Sequence, residues 1–269
     1  TGFENVAIGK NALGGDVEGA ENIAIGRSAM SSTTNARASI AIGYNALQNL
    51  NYGSLTYSHN IGIGFSAGQN VTTGVENTIV GGLAGDSLTT GSYNVAIGKD
   101  ALSAEDTGER NIAIGRKALT NQNYDGAAYN VAIGYEAGKE VTTGVFNTLI
   151  GSFAGDALTI GNSNVVLGYD ALSSEHSGDR SVAVGFKALQ SQNNTSSVDV
   201  YNVAVGYEAG KAITTGVQNV IIGGAAGDAL TTGNNNVAVG YLALSVEDAG
   251  SNNVAIGTKA LTLMDAGAD

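Results

Sequence analysis

The chain carries very few side chains that could serve as nucleophiles or general bases. It has two histidines, His59 and His176, and no cysteine. Neither a Cys–His pair nor a recurring Ser–His–Asp arrangement is therefore available for covalent catalysis. His176 follows Glu175 in a turn whose equivalent earlier in the chain carries Asp106, which favours a solvated loop residue. We predict that the protein is not an enzyme.

A glycine-rich stretch imitates a nucleotide-binding loop. Residues 62–67, GIGFSA, resemble the phosphate-binding turn of dinucleotide-binding folds, but that turn must open a helix whose N-terminus receives the phosphate. Here the same letters recur throughout the chain and no helical pattern follows them. We predict no nucleotide and no other cofactor.

Three aspartates suggest a metal site only weakly. Asp86, Asp156 and Asp228 follow glycines in a way that resembles calcium-binding nonapeptide repeats. Each stands alone, whereas Ca²⁺ requires six to eight oxygen ligands. Only symmetry around a three-fold axis could gather enough carboxylates, so we predict no metal.

The composition sets wider limits. The 269 residues include 40 glycines and no Pro, Cys or Trp, with 43% apolar and 13% charged residues. A core can form, but it has little bulky material. The net charge of −12 and the scattered basic residues argue against binding nucleic acid or anionic lipid. No apolar run is long enough for membrane insertion. The chain opens on Thr1 without a signal peptide, from which we expect a segment of a longer fibre.

One motif fills the whole chain: Asn or Ser, three mainly apolar residues, Gly four positions after the start and Ala seven positions after it. Successive starts lie seventeen positions apart in eleven of the fourteen intervals, and nineteen or twenty-one positions apart in the other three. The fifteen starts, which we use to number coils 1 to 15, are Asn5, Asn22, Ser39, Asn60, Asn77, Asn94, Asn111, Asn130, Asn147, Asn164, Ser181, Asn202, Asn219, Asn236 and Asn253.

This period predicts an all-β fold. Seventeen residues are too few for a helical pair, and helices would lose about 1 kcal/mol for each interior Gly. The apolar triplets resemble short strands bounded by Asn and Gly. We therefore predict a parallel β-solenoid or β-roll of about fifteen 17-residue coils, with an axial ladder of Asn side chains and Gly at a corner of each coil.

A bulky core residue is supplied once per coil from one of two positions. Nine coils carry Leu or Met eight residues after the start, and six carry Gly there with Val, Leu or Ile three residues later. Glu105 and Glu247 occupy the later position in two Leu coils, and we expect these acidic turns to be solubilising. The two coil types alternate in pairs, and a long interval closes each set of four. We treat 1–269 as a single repeat domain with sets at 1–59 (partial), 60–129, 130–201 and 202–269 (partial).

Both faces of each strand are apolar. In Val131-Ala132-Ile133 alternate side chains point to opposite faces, whereas a wall facing water should alternate apolar with polar residues. Covering the outer face with further copies of the chain is the simplest solution, and a homotrimer is expected.

The stretches "NVAIGYEAG", "NIAIGRKAL" and "NVAVGYLAL", with intervening "TTG", resemble the repeats of phage tail-fibre-like proteins with a C-terminal intramolecular chaperone. They are also similar to the head repeats of trimeric autotransporter adhesins, whose coils are usually shorter. The resemblance covers the whole chain. It implies a homotrimeric extracellular fibre, on a virion or a cell surface, whose shaft supports attachment to a host.

Aromatic residues are the candidate contact residues. One group follows the motif Gly, and a second lies in or beside the three extended turns, where we expect exposure. The first group is Tyr44, Phe65, Tyr135, Tyr169, Phe186, Tyr207 and Tyr241, and the second is Tyr52, Tyr57, Tyr124, Tyr129 and Tyr201. Exposed rings can stack on sugars, so binding of cell-surface polysaccharide is the main alternative function, although the rings could simply pack on one another. A third alternative, ice binding through paired threonines, is disfavoured because the pairs are missing from two coils in every four.

Overall fold

Residues 2–15 and 18–262 of the chain are described by a computed structural model. All regular secondary structure within these ranges is β-strand, and they contain no helix. The chain divides into two compact units, Thr1–Asn130 and Val131–Asp269. Seven coils lie in the first unit and eight in the second, which confirms the predicted solenoid of about fifteen turns.

The first unit contains one main parallel sheet and one small sheet. The main sheet has the order β1-β2-β4-β6-β7-β8-β9, and the small sheet pairs β3 with β5. The strands are β1 (Val6–Ile8), β2 (Ile23–Ile25), β3 (Thr34–Arg37), β4 (Ile40–Ile42), β5 (Asn51–Tyr57), β6 (Ile61–Ile63), β7 (Thr78–Val80), β8 (Val95–Ile97) and β9 (Ile112–Ile114).

The second unit repeats this plan. Its main sheet has the order β10-β11-β12-β14-β16-β17-β18-β19, and β13 pairs with β15 beside an extended turn. The strands are β10 (Val131–Ile133), β11 (Thr148–Ile150), β12 (Val165–Leu167), β13 (Gly178–Asp179), β14 (Val182–Val184), β15 (Val198–Asp199), β16 (Val203–Val205), β17 (Val220–Ile222), β18 (Val237–Val239) and β19 (Val254–Ile256).

Successive coils stack in register. Thr148 pairs with Val165 and Leu149 with Val166, so each residue of the motif lies over its counterpart in the next coil. In every coil but the first, the middle residue of the main-sheet strand is buried, as Leu149 and Val166 are, while its two neighbours are partly or fully exposed. A single apolar residue per strand therefore points into the core.

The motif Asn side chains form the predicted axial ladder. The Oδ1 of Asn147 accepts the backbone N–H of Asn164 at 3.0 Å, and its Nδ2 donates to the carbonyl of Gly161 at 2.9 Å. Both asparagines are fully buried. A buried amide left without partners is destabilising, so this ladder explains why Asn or Ser opens every coil.

The corner that follows each strand requires glycine. Gly168 has a φ of +141°, and a Cβ there would lie against the carbonyl oxygen of Gly185 in the next coil. Residues other than glycine rarely adopt this φ. The motif Gly is thus fixed by both the backbone conformation and the close approach of the next coil.

The exchange of bulky core residues is confirmed. Leu172 and Leu158 are both fully buried, although they occupy positions eight and eleven residues after their coil starts. The first of these positions lies in the left-handed region, with φ near 50° at Leu172 and 55° at Gly155. Glycine relieves that strain, and the coil then supplies its bulky side chain three residues later.

The expectation that Glu105 and Glu247 are solubilising surface residues is wrong, because both are fully buried. The Oε1 of Glu105 accepts the backbone N–H groups of Gly108 at 2.7 Å and Asp106 at 3.1 Å. Burial, opposed by these hydrogen bonds, raises the pKa of Glu105. The carboxylate occupies the core position of an apolar residue and holds the following turn through its backbone N–H groups.

Candidate functional site

The outer face of the strands carries two apolar columns. Of the thirty side chains that flank the buried middle residues, all but Thr78 and Thr148 are Val, Ile or Leu. They are partly or fully exposed in the single chain. The face is continuous along all eight coils of the second unit, and the same two columns run along the seven coils of the first.

The aromatic residues after the motif Gly lie on the surface, as predicted. In each unit they lie along the edge of the apolar strand face, at the corner where the chain leaves the strand. All seven have exposed side chains: Tyr44, Phe65, Tyr135, Tyr169, Phe186, Tyr207 and Tyr241.

In the second unit most of these rings contact one another. Tyr169 stacks on Phe186 with ring centroids 5.5 Å apart, and Phe186 stacks on Tyr207 at 5.3 Å. Tyr135 joins the row through Phe153, whose ring meets Tyr135 at 5.2 Å and Tyr169 at 6.0 Å. The predicted packing of neighbouring rings is therefore present, and most ring faces in this row are occupied.

Phe153 was missed by the sequence analysis because it lies one position beyond the others, after Ser152. Its φ of 58° is shared by this position in other corners, such as Asp170 at 52°, so its ring contacts alone place it in the row. The sequence signal that could have revealed Phe153 is a small residue, Ser152, directly after the motif Gly and directly before an aromatic residue. A search restricted to the position after the motif Gly could not detect it.

The row is interrupted at coil 13, where Gly224 and Ala225 replace ring-bearing residues. The neighbouring rings, Tyr207 and Tyr241, are 58% and 56% exposed, whereas Tyr135 and Tyr169 are 38% and 47% exposed. A Cβ at Gly224 would meet the ring of Tyr241 at an ordinary contact distance of 3.5 Å. No atom of Tyr207 lies within 4 Å of that Cβ, so the open space is on the Tyr207 side.

The tyrosines of the extended turns divide into two groups. Tyr57, Tyr124, Tyr129 and Tyr201 are exposed, as predicted. The expected exposure of Tyr52 is wrong, because its side chain is only 5% exposed and its hydroxyl donates to the carbonyl oxygen of Gly74 at 2.6 Å. Burial raises the pKa of Tyr52 to about 12. The extended turn folds back over the next coil at this point.

A second aromatic edge lies just before the strands; Tyr129 and Tyr201 in it were predicted contact residues, whereas Tyr93 and the arginines beside the rings were not. The guanidinium of Arg110 lies 5.0 Å from the ring centroid of Tyr93 and 5.7 Å from that of Tyr129. Arg180 lies 5.8 Å from the ring of Tyr201. Such cation–π contacts stabilise exposed rings by about 0.5–1 kcal/mol each. The apolar strand face therefore has aromatic side chains along both edges.

The acidic candidates Asp86, Asp156 and Asp228 lie in separate coils of the chain. Within residues 2–15 and 18–262 no group of three or more His, Cys, Asp or Glu side chains is arranged to hold a metal ion. Asp86 and Asp100 line an open surface pocket of about 320 Å³ together with hydroxyl side chains. Burial, and to a smaller extent the carboxylates of Asp170 and Glu136, raise the pKa of Asp156 to about 6.

His176 and the paired threonines, the two remaining candidates for a chemical role, hydrogen-bond to residues of neighbouring coils. His176 is exposed, and its Nδ1 lies 3.0 Å from the Oδ1 of Asn193. The first Thr of each pair hydrogen-bonds along the stack, as when the Oγ1 of Thr142 donates to the carbonyl of Thr159 at 3.2 Å. The proton of that hydroxyl is therefore used within the stack, which leaves only its oxygen lone pairs to bind a surface water.

A scan against protein-family models gives no match for this chain, and a comparison with curated proteins gives none either. Among the described residues there is no helix long and apolar enough to cross a membrane. The outer face and its aromatic edges are therefore the features of the chain that bear on its function.

Proposed function

We propose that the protein is a structural shaft segment of a homotrimeric tail fibre or surface adhesin, outside the cell, on a virion or cell surface. The observation that carries this proposal is the apolar outer face of the strands. A solenoid wall that faced water would carry polar residues there. The resemblance of the repeats to fibre and adhesin repeats agrees with this proposal.

The size of the face supports burial against other copies. Eight coils at about 4.8 Å each and three-residue strands at about 3.3 Å per residue give a flat area of about 400 Å² in the second unit. This is already in the range of the largest apolar patch on a typical monomer. The edge just before the strands adds Tyr and Arg, residue types enriched at interfaces. A second and third copy would present matching columns with the same repeat spacing.

The proposed role is mechanical. Within each unit every coil is joined to the next by parallel strand hydrogen bonds, the Asn ladder and a buried apolar layer. In such repeats stability is a sum of nearest-neighbour terms, so added coils extend the shaft without new kinds of contact. A receptor-binding element could thereby be held away from its base.

The mass of the purified protein in solution tests the assembly. Light scattering should give three times the chain mass of 26.9 kDa. A stable monomer at micromolar concentration would remove the argument, because the apolar columns would then face water.

Variants of the outer columns, compared with a control variant, test whether this face forms the contact between copies. Ile150→Glu and Leu167→Glu place charges on the outer columns and should convert the trimer into monomers. Thr143→Glu adds the same charge at an exposed position outside the strands and should leave the mass unchanged. If all three variants remain trimeric, a different surface forms the contact.

A second candidate function is polysaccharide binding through the exposed aromatic column. The observation that favours it is the exposure of all seven rings at one corner. Stacked neighbours occupy most of the ring faces, so only the interruptions of the column offer free faces to a sugar.

A further inference from the structure

Two coils of the second unit differ at the aromatic corner in only two residues. Residues 151–159 read GSFAGDALT, and residues 223–231 read GGAAGDALT. Ser152 and Phe153 in coil 9 are thus replaced by Gly224 and Ala225 in coil 13. Because the remaining seven letters are identical, the two corners can be compared directly.

In coil 9 an aromatic ring is held between two tyrosines. Phe153 meets the ring of Tyr135 from the preceding coil at 75° and the ring of Tyr169 from the following coil at 89°. The chain itself therefore shows that a six-membered ring fits between tyrosines placed two coils apart.

In coil 13 the same pair of tyrosines is present without the ring between them. Tyr207 and Tyr241 follow the motif Gly of coils 12 and 14, just as Tyr135 and Tyr169 follow that of coils 8 and 10. Both rings are more exposed than Tyr135 and Tyr169, and within 4 Å of a Cβ placed at Gly224 only the ring of Tyr241 is found. Unlike Gly223, Gly224 does not have a positive φ, so the backbone does not demand glycine at this position.

We propose that the gap between Tyr207 and Tyr241 is a binding site for one pyranose ring of a polysaccharide. The proposal rests on the second candidate function and gives it a location. Two coils separate the tyrosines by about 10 Å. A pyranose chair in van der Waals contact with a ring on each side needs roughly 8 to 9 Å. The apolar C–H faces of the sugar would meet the rings, and the tyrosine hydroxyls supply hydrogen-bonding groups at the edge.

A similar gap in the first unit lacks the second aromatic ring, so the arrangement at coil 13 occurs once among the described corners. Coil 5 carries the related sequence GGLAGDSLT at residues 81–89, and no atom lies within 4 Å of a Cβ placed at Gly82. Phe65 flanks that gap on one side, but Lys99 stands at the row position on the other. The gap at coil 5 therefore has an aromatic ring on one side only, whereas the gap at coil 13 has a tyrosine ring on each side.

Reciprocal exchange of the two residues tests the site. Gly224→Ser with Ala225→Phe gives coil 13 the letters of coil 9 and should fill the gap. Ser152→Gly with Phe153→Ala gives coil 9 the letters of coil 13 and should open a second gap between Tyr135 and Tyr169. Both exchanges use sequences the fold already accepts, with φ of 58° at Phe153 and 49° at Ala225. Their melting temperatures should stay close to that of the parent chain.

Binding is measured on the full chain in its native oligomeric state by calorimetric titration with cellohexaose, mannohexaose and xylohexaose, and with indole as an aromatic probe. At least one oligosaccharide should bind the parent chain. Filling coil 13 should weaken that binding at least tenfold, and opening coil 9 should double the number of sites per chain.

The outcomes separate the proposals. Oligosaccharide binding that survives the filling of coil 13 would overturn this site while leaving polysaccharide binding by other corners intact. Binding of indole alone would overturn the sugar as the ligand class. If no oligosaccharide binds, both the site and the second candidate function are wrong. The trimeric shaft is tested separately by its mass.

Discussion

The carboxylate of Glu175 accepts a hydrogen bond from the side-chain amide of Gln192, which occupies the same position one coil later, at 2.9 Å. Both side chains are fully buried. The Glu175 carboxylate also accepts the three backbone N–H groups that follow it, at 2.8–3.0 Å, and the backbone and side-chain N–H groups of Asn194. Six donors therefore converge on one buried carboxylate.

Glu175→Gln should destabilise the second unit although it preserves the shape of the side chain. The new amide group would place its own N–H donors against some of the six N–H groups that the carboxylate now accepts. Hydrogen bonds to charged groups contribute about 1.5–3 kcal/mol each, so we expect a loss of about 3 kcal/mol in the free energy of unfolding. Urea unfolding followed by circular dichroism measures it. The control is Glu76→Gln at an exposed position, and equal losses for both variants would contradict the buried role.

Asp156 should make stability depend on pH. Its folded-state pKa is raised from the ordinary 3.8 to about 6, so the folded chain binds this proton more tightly than the unfolded chain. The resulting stabilisation is complete below pH 4 and is lost as the pH rises through about 6.

Asp156→Asn should therefore stabilise the protein at pH 7.5 and have little effect at pH 4. Because the side chain is only half-buried, solvent screening reduces the gain to about 1 kcal/mol. Thermal melts of the parent and the variant at the two pH values give the difference. A variant that melts lower than the parent at pH 7.5 argues against the inferred pKa.

The sequence was sufficient for features that depend on position along the repeat. Leu158 and Leu172 could be placed in one core because each coil needs a fixed volume of apolar side chain, and Tyr207 could be placed on the surface because it follows a corner Gly. The burial of Glu175 could not be inferred, since a solvated and a buried carboxylate have the same letter and only the converging N–H groups distinguish them. Tyr52 was misplaced for a similar reason, because its acceptor, Gly74, lies in the following coil.

Adjacent glycines provide a test of the corner. Gly81 has a φ of +137°, and a Cβ there would lie 2.5 Å from the carbonyl oxygen of Gly98, whereas no atom lies within 4 Å of a Cβ at Gly82. Gly81→Ala should cost at least about 2 kcal/mol through backbone strain and displacement of the next coil. Gly82→Ala should change stability by less than about 0.5 kcal/mol. Chemical unfolding of both variants decides it, and similar values for the two would show that the corner can relax.

The two extended turns at coils 7 and 11 differ in how they satisfy buried amides. Gln192 Nε2 donates to Glu175 and, at 3.0 Å, to the Oγ of Ser181. At the equivalent positions in coil 7, Asn111 Nδ2 and Gln122 Nε2 are buried and have no hydrogen-bond partner in the described chain. Other coils direct the Asn amide to the carbonyl of a glycine later in the same coil, as Asn147 does, and the insertion in coil 7 removes that acceptor.

Asn111→Ser should therefore stabilise the first unit. It removes one unpartnered amide and offers Gln122 the hydroxyl acceptor that Ser181 provides for Gln192. Serine also opens other coils, as Ser39 does, where its Oγ accepts the backbone N–H of Asn60 at 3.2 Å. A buried donor without a partner costs about 1–3 kcal/mol, so the variant should unfold at higher urea concentration by an amount in that range. The reverse change, Ser181→Asn, should destabilise the second unit by a similar amount. If Asn111→Ser instead lowers stability, the two amides share a partner in solution, and a buried water molecule bridging them becomes the better account.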